Sequence, residues 1–466
     1  MPAQRSLSVM LWLVAIGFFM QTLDTTIVNT ALPAMARSLN ESPLKMQSVV
    51  VAYSLTMAIV IPASGWLADR FGTRQIFMAA IALFVIGSIG CSASQSLNQI
   101  VAARVVQGVG GAMLLPVGRL AILRTFPPAD FVRALSFVAI PGLIGPLIGP
   151  VLGGWLVETL SWHWIFLINV PVGIIGCIAT WLFMPDARTP VKRFDLNGYL
   201  LLAFGMAGLS LSLQNIAEHG LHHAAVLVLL IAALAAIVAY GLHATRAPAP
   251  LFSLALFRVH TYSVGLLGNL FARIGSGAMP YLIPLLLQVS LGYSPMQAGL
   301  IMLPAAAAGM GTKRAVPALI GRYGYRRVLI VNTVLVGIAM ASFALMSGNE
   351  PTWVRVVQVA FFGAVNSLQF SAMNTITLKD LSGSAASSGN SLFSMVQMLS
   401  MSLGVTVAGT LLAGYGNLVP AGHGSLQVFH LTFASVGVIT CASAWIFAQL
   451  GREVRRGRHD NDAGEI

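Results

Sequence analysis

The sequence predicts an all-α polytopic membrane protein with fourteen transmembrane helices, arranged as six, two and six. Three observations carry that expectation: a composition suited to lipid, fourteen apolar stretches of spanning length, and an internal repeat at an offset of about 250 residues.

Of 466 residues, 57% are hydrophobic and only 9% are charged, with a mean hydropathy of +0.82. A soluble domain carries about 25% charged residues, so composition excludes one. Cys91, Cys177 and Cys441 lie in apolar stretches and have neither disulfide-framework nor metal-binding spacing. They read as small core residues. Arg5 precedes an apolar run, as in a signal peptide. No A-x-A-like cleavage site follows, and Asp24, Asn29 and Pro33 extend the run to full spanning length, which makes it helix 1.

A spanning helix needs about 20 apolar residues. Stretches of that kind occupy residues 10–36, 46–68, 76–94, 99–121, 134–157, 163–184 and 196–217. The series continues with 224–244, 261–289, 295–317, 328–347, 353–378, 386–412 and 427–449. An even count places both termini on one side. Alternate connections, beginning with the N-terminus, hold all of the 26 basic residues except five. Arg37 and Lys45 lie in the opposite connections, and Arg104, Arg273 and Arg355 fall within spans. Arg119, Arg124 and Arg133 are assigned to one basic connection. Basic residues favour the cytoplasmic side. Both termini are therefore expected in the cytoplasm of a cell bounded by this plasma membrane, and the net charge of +12 is a topology signal rather than a nucleic-acid footprint.

The repeat sets the organisation. "DRFGTR" (Asp69–Arg74) returns as "GRYGYR" (Gly321–Arg326), and "RVVQ" at Arg104–Gln107 returns at Arg355–Gln358. Both copies of the first motif lie on the same side, which makes the repeat a parallel one. The expected units are a six-helix bundle over 1–190, two inserted helices over 191–250, a second six-helix bundle over 251–450, and a basic tail over 451–466.

Helix 1 contains Asp24 in "GFFMQTLDTTIVNTALP". A central Asp costs about 2.5–3.5 kcal/mol on insertion scales, so its retention requires a reason. At about 100° per residue, Gln21, Asp24, Thr25 and Asn29 share a polar stripe. The stripe suits a carboxylate facing a cavity, where burial raises its pKa and a cation lowers it. A permanent salt bridge to an intramembrane Arg is the alternative. Among the fourteen acidic residues, Asp24 is the one placed near mid-membrane and the one candidate for a buried proton carrier.

Five motifs together carry a resemblance: "LDTTIVNTALP" in helix 1, "GWLADRFGTR" after helix 2, "RVVQGVGGA" in helix 4, "GPLIGPVLGG" in helix 5 and "SWHWIFLINVPVG" opening helix 6. The chain resembles, along essentially its whole length, the fourteen-helix drug:proton antiporter branch of the major facilitator superfamily (EmrB/QacA type), and within it the MdtD-like multidrug-resistance subgroup. Two departures are Gly321, where the first copy has Asp69, and His163, where related transporters often have Arg.

The resemblance implies a proton-coupled efflux transporter of the bacterial inner membrane, with the major facilitator fold. It implies no enzyme activity, no cofactor and no metal, with drive from the proton gradient. The expected partners are a small-molecule substrate, protons and the lipid bilayer, without nucleic acid, and the chain is expected to act as a monomer. Arg104 is implicated in proton transfer in the family; a structural Arg bonded to backbone carbonyls is its alternative. Gly65, Asp69, Arg70, Gly72 and Arg74 would form the conformational switch, with Asp69 reaching the start of helix 13 across the two halves. Charge marking topology explains Arg70 and Arg74 but not Asp69 or Gly72. Gly145, Gly149, Pro150, Gly153 and Gly154 form the antiporter motif, expected to seal against "PAAAAGMG" (Pro304–Gly311) of helix 10; lipid-facing flexibility is the alternative.

Gln21, Thr25, Asn29, Gln107, Asn269, Arg273, Asn366 and Gln369 are the candidate substrate contacts, with Asn374, Asn390 and Gln397 as further polar residues within spans. Arg273 is either an anchor for anionic or zwitterionic cargo or the ion-pair partner of Asp24. Drug efflux therefore stands beside export of anionic metabolites or metal-chelating organic acids, and beside a non-transporting sensor that kept the fold. "EHGLHH" (Glu218–His223) reads as a short solvated connection. No P-loop is present for direct ATP coupling.

Overall fold

Long apolar runs joined by short polar connections lead to an almost wholly helical chain among the described residues. The computed structural model describes residues 2–126, 128–186, 188, 193–219, 223–381, 383–419 and 424–451. The expected basic tail beyond 451 and the centre of "EHGLHH" lie outside those residues. The helices are α1 (Pro2–Ser38), α2 (Gln47–Phe71), α3 (Thr73–Ser92), α4 (Leu97–Thr125), α5 (Pro128–Thr159), α6 (Trp164–Phe183) and α7 (Leu196–His219). They continue with α8 (Ala224–Arg246), α9 (His260–Leu285), α10 (Pro295–Thr312), α11 (Val316–Ser342), α12 (Thr352–Leu378), α13 (Gly383–Leu418) and α14 (Gly424–Ala448). Thirteen are long and apolar enough to span by those criteria alone. The remaining one, α10, has 18 residues and completes the expected fourteen.

The face on which α1 begins is called the basic face here. The repeat is visible in the packing. α1 lies on α4, α5 and α6, as α9 lies on α12, α13 and α14; α4 packs on α2 and α3, as α12 packs on α10 and α11. It is visible in the backbone as well. Gly72 (φ 98°) and Gly324 (φ 77°) both take a positive φ between consecutive helical segments, a conformation that costs any residue with a Cβ.

Two seams join the sets of six, α5 against α10 and α2 against α13, which are equivalents of one another under the repeat. α7 and α8 pair with each other, and α7 also packs on α2 and α13. α8 turns Val228, Ile231, Val238 and Leu242 outward, as a lipid-facing helix does. At its foot Asp195 accepts from Gly198 N (2.9 Å) and Leu251 N (3.0 Å) and meets His243 Nε2 at 2.7 Å. Burial would raise the Asp195 carboxyl, but these bonds prevail and hold it below its ordinary value.

Candidate functional site

Small residues bring α4 against α2 and α3. A Cβ on Gly108 would approach Tyr53 O at 3.0 Å, and one on Gly110 would approach Phe84 N at 2.5 Å. This close approach lets the polar side chains of four helices meet. Asp24 (1% exposed), Arg104 (1%) and Gln107 (0%) are sealed from both lipid and solvent. Arg104 Nη1 donates to Asp24 Oδ2 at 2.6 Å and to Gln107 Oε1 at 2.6 Å, while its Nε donates to Val49 O at 3.2 Å. Gln107 Nε2 donates to Asp24 Oδ1 at 2.9 Å and to Ser88 Oγ at 2.9 Å. The Tyr53 ring lies 4.1 Å from the guanidinium carbon, an added cation–π contact. Every oxygen of the carboxylate is bonded, the condition under which a buried charge pair is tolerable.

Asp24 and Arg104 are therefore brought together as an ion pair, the alternative given above; Asp24 itself does not face the cavity as expected, because its carboxylate is buried against Arg104 and Gln107. Gln107 is not a cavity residue but part of the charge pair. Gln21, one turn from Asp24, does reach a cavity of about 760 Å³ that runs to the basic face. Its lining includes Phe18, Ser64, Gly65, Arg119, Asn390, Ser394 and Gln397. Arg119 is the residue that sequence reasoning placed wrongly. It was expected in a connection as a topology charge, but α4 continues to Thr125 and presents Arg119 to the cavity, where it is the one charged lining residue among the described residues.

Several other candidates sit elsewhere. Thr25 bonds back to Thr22 O at 2.7 Å, and Asn29 donates to Thr25 O at 3.0 Å, so both serve their own helix. Asn269 is fully buried and donates to Gly265 O (3.0 Å) and Thr377 Oγ1 (3.2 Å). Gln369 links α12 to α11 through Thr333 (2.6 Å) and Asn332 (2.8 Å). Asn366 accepts from Ser276 at 2.6 Å. Arg273 does not pair with Asp24. Its Nη2 donates to Asn269 Oδ1 (3.3 Å) and Asn374 Oδ1 (3.5 Å), and its guanidinium lies 4.2 Å from the Phe370 ring centroid. No carboxylate faces it among the described residues. Asn374 also accepts from the cavity-lining Gln397 at 3.0 Å. Arg355, assigned to a span, lies in the first turn of α12 and holds Glu350 at 3.5 Å and Ser347 O at 3.0 Å.

The antiporter motif divides its work. Gly145, Gly149 and Gly153 seat α5 against Thr22, Thr26 and Ile27 of α1, within the same half. Gly154 alone of the motif glycines meets α10, at Pro295 and Met296, while Gly299 meets Pro150 and Val151 in return. The glycine-mediated contact with α10 is thus at its first two turns. "PAAAAGMG" instead faces α12, where Gly363 fits against Ala305 and Gly309 against Ser367. Beside this seam Glu158 Oε2 accepts from Ser294 Oγ (3.0 Å) and Met296 N (3.3 Å), at an α10 N-terminus capped by Ser294 and Gln297. Gln288 Nε2 donates to Thr30 O at 2.9 Å, and Gly409 abuts Gln47. The two halves are closed together on the face opposite the basic one.

On the basic face Asp69 forms an ion pair with Arg124 of its own half. Ser382, in the helix-13 stretch expected to receive Asp69, lies outside the described residues. Gly72, beside Asp186, makes the sharp turn into α3. Gly65 lines the cavity, and Arg70 stacks 5.3 Å from the Trp66 ring centroid. Arg74 is half-buried at the start of α3.

A multi-pass helical chain with a parallel six-helix repeat, a central one-sided cavity and a buried charge pair defines a membrane transporter. The chain belongs to the Major Facilitator Superfamily, whose family model matches residues 14–405. It is 53% identical over 439 residues, 94% of each chain, to a protein of Pectobacterium carotovorum named for multidrug resistance, MdtD. A Salmonella heidelberg protein of the same name is 51% identical over 450 residues, covering 96% of this chain and 95% of its own. The solved structure of a D-xylose–proton symporter superposes with a TM-score of 0.67 over 94% of this chain and 97% of that one, at 14% identity. That likeness shows the fold alone.

Proposed function

We propose that the chain is a proton-coupled multidrug efflux antiporter of the bacterial inner membrane, with both termini cytoplasmic and Asp24 as the proton-carrying group. The observation that carries this reading is the Asp24–Arg104–Gln107 cluster placed one turn beyond a cavity that reaches one face only. The bias of basic residues supports a cytoplasmic assignment for that face, in which the cavity would load substrate from the cell.

The chemistry follows from the bonds. With Asp24 ionised, its carboxylate holds α1 to α4 through Arg104 and Gln107. A proton arriving at Asp24 removes the charge that holds Arg104, releases the guanidinium to other acceptors, and weakens the α1–α4 tie. Opening of the opposite face then requires the α5–α10 and α2–α13 seams to part and the basic face to close. Asp69 would leave Arg124 for the start of α13 in that second state, a carboxylate at a helix N-terminus. Relatives named for multidrug resistance support drugs as cargo. The test is proteoliposome transport under an imposed pH gradient. Asp24→Asn should lose gradient-driven transport yet keep substrate exchange without a gradient, because exchange needs no net proton movement. Full gradient-driven transport by Asp24→Asn would refute the assignment.

A second reading, export of anionic compounds, is favoured by Arg119 as the one charge in the cavity lining among the described residues and by Arg273, which faces no carboxylate among them. Competition by a carboxylate panel in wild type but not in Arg119→Gln would select it; no competition in either would leave drugs as the cargo.

A further inference from the structure

α2 uses two opposite faces. Met57, Ile61, Ser64 and Gly65 line the central cavity. Ala63, Trp66, Leu67 and Arg70 line a separate groove of about 740 Å³, completed by Arg193, Phe194 and Leu196 ahead of and within the first turn of α7. At about 100° per residue these two sets point in nearly opposite directions, so the groove lies on the outside of the first bundle. It is where the inserted helices join that bundle at the basic face.

The chemistry of the groove has two parts. Its wall is apolar and continuous with lipid-facing surface, since Leu196 and Leu200 are 56% and 55% exposed. Its rim carries two guanidinium groups, Arg70 and Arg193, and neither forms an ion pair among the described residues. Arg70 lies over the Trp66 ring at 5.3 Å, and Trp66 in turn contacts the Phe194 ring at 4.9 Å. Trp at the end of a spanning helix marks headgroup depth. Two cations at that depth above an apolar slot match one ligand chemistry, a phosphate ester bearing acyl chains.

We propose that this groove binds one anionic phospholipid, with its phosphate taken by Arg70 and Arg193 and an acyl chain laid along Ala63, Leu67 and Leu196. A guanidinium binds phosphate through paired N–H donors, and the Trp66 stack fixes the orientation of the Arg70 fork. The lipid would fill the gap between α2, which forms a seam with α13, and α7, which packs on both.

The test is a lipid titration of the full-length purified chain, read as lipid-bound species by native mass spectrometry. The probes are phosphatidylglycerol, phosphatidylcholine of the same chain length, and inorganic phosphate. Wild type should take up one phosphatidylglycerol in preference to phosphatidylcholine, and inorganic phosphate should not displace it. Arg193→Gln and Arg70→Gln should each weaken that binding by about tenfold, the loss of one charge-assisted contact. Arg246→Gln, on the same face but outside the groove, should leave it unchanged. Equal uptake of both lipids, displacement by inorganic phosphate, or equal loss in all three variants would overturn the proposal.

Discussion

The two copies of "RVVQ" begin as the same four residues and end in different chemistry. In the first, Arg104 is eight residues into α4 and meets Asp24 in a fully bonded cluster without solvent. In the second, Arg355 is in the first turn of α12 and staples the connection before it through Ser347 O and the partly exposed Glu350. Helix start explains the difference. α12 begins at Thr352, three residues before its Arg, whereas α4 begins at Leu97, seven before its own. One extra turn of helix carries the same side chain from the end of the bundle, where buried Arg355 meets a partly exposed acid, to a position where both partners are buried. Duplication thus supplied two scaffolds, and a small change in helix register left one of them with a buried ion pair.

The largest effect should come from cutting that pair. Arg104→Met leaves an uncompensated buried carboxylate and is expected to cost about 3–5 kcal/mol, while Arg355→Met, which removes a buried arginine but leaves a Glu350 that water can reach, should cost less, about 1.5–3 kcal/mol for its charged hydrogen bonds. Thermal unfolding in detergent would rank them, and Asp24→Asn combined with Arg104→Met should recover much of the loss. Equal costs for the two arginines would dissolve the contrast between the halves.

How much of this was legible in the sequence depends on what each residue had to declare. Asp24 and Arg104 stood out because charge within an apolar run is costly wherever it faces. Gln107 did not declare its role, because helical periodicity gives a face without saying which neighbour covers it. Arg119 was misplaced for a related reason. The apolar stretch 99–121 already contained it, but its charge was counted with the connection that follows, and α4 runs past Arg119 to Thr125. The glycines of helix 5 announced close packing but not the partner, so α1 took most of a surface expected to meet α10. Fold, by contrast, needed only span lengths and the repeat.

A smaller effect would sharpen the comparison at the seams. Gly299→Leu places a side chain against Pro150 and Val151 and should open the α5–α10 seam, seen as faster labelling of a cysteine at Gln288. Gly311→Leu, whose Cβ meets nothing within 4 Å, should leave labelling unchanged. If both behave alike, the seam is not the closing element.

The turn glycines should show where the halves agree. Gly72→Ala and Gly324→Ala each force a Cβ into a positive φ, and each should cost about 1–3 kcal/mol in the same unfolding assay. Gly321→Asp, in open space, should cost about 0.5 kcal/mol or less while restoring to the second copy the carboxylate of the first.

The central claim is that a proton on Asp24 sets the conformational state, and distance measurement tests it without knowledge of the substrate. Spin labels at Asn40 and Ser290 would straddle the closed face of the two halves in the purified full-length chain. In the wild type the distance distribution should shift between a closed and an open population as pH is varied. In Asp24→Asn it should stay fixed across the same range, while a pH-dependent shift as large as that of the wild type would contradict the account.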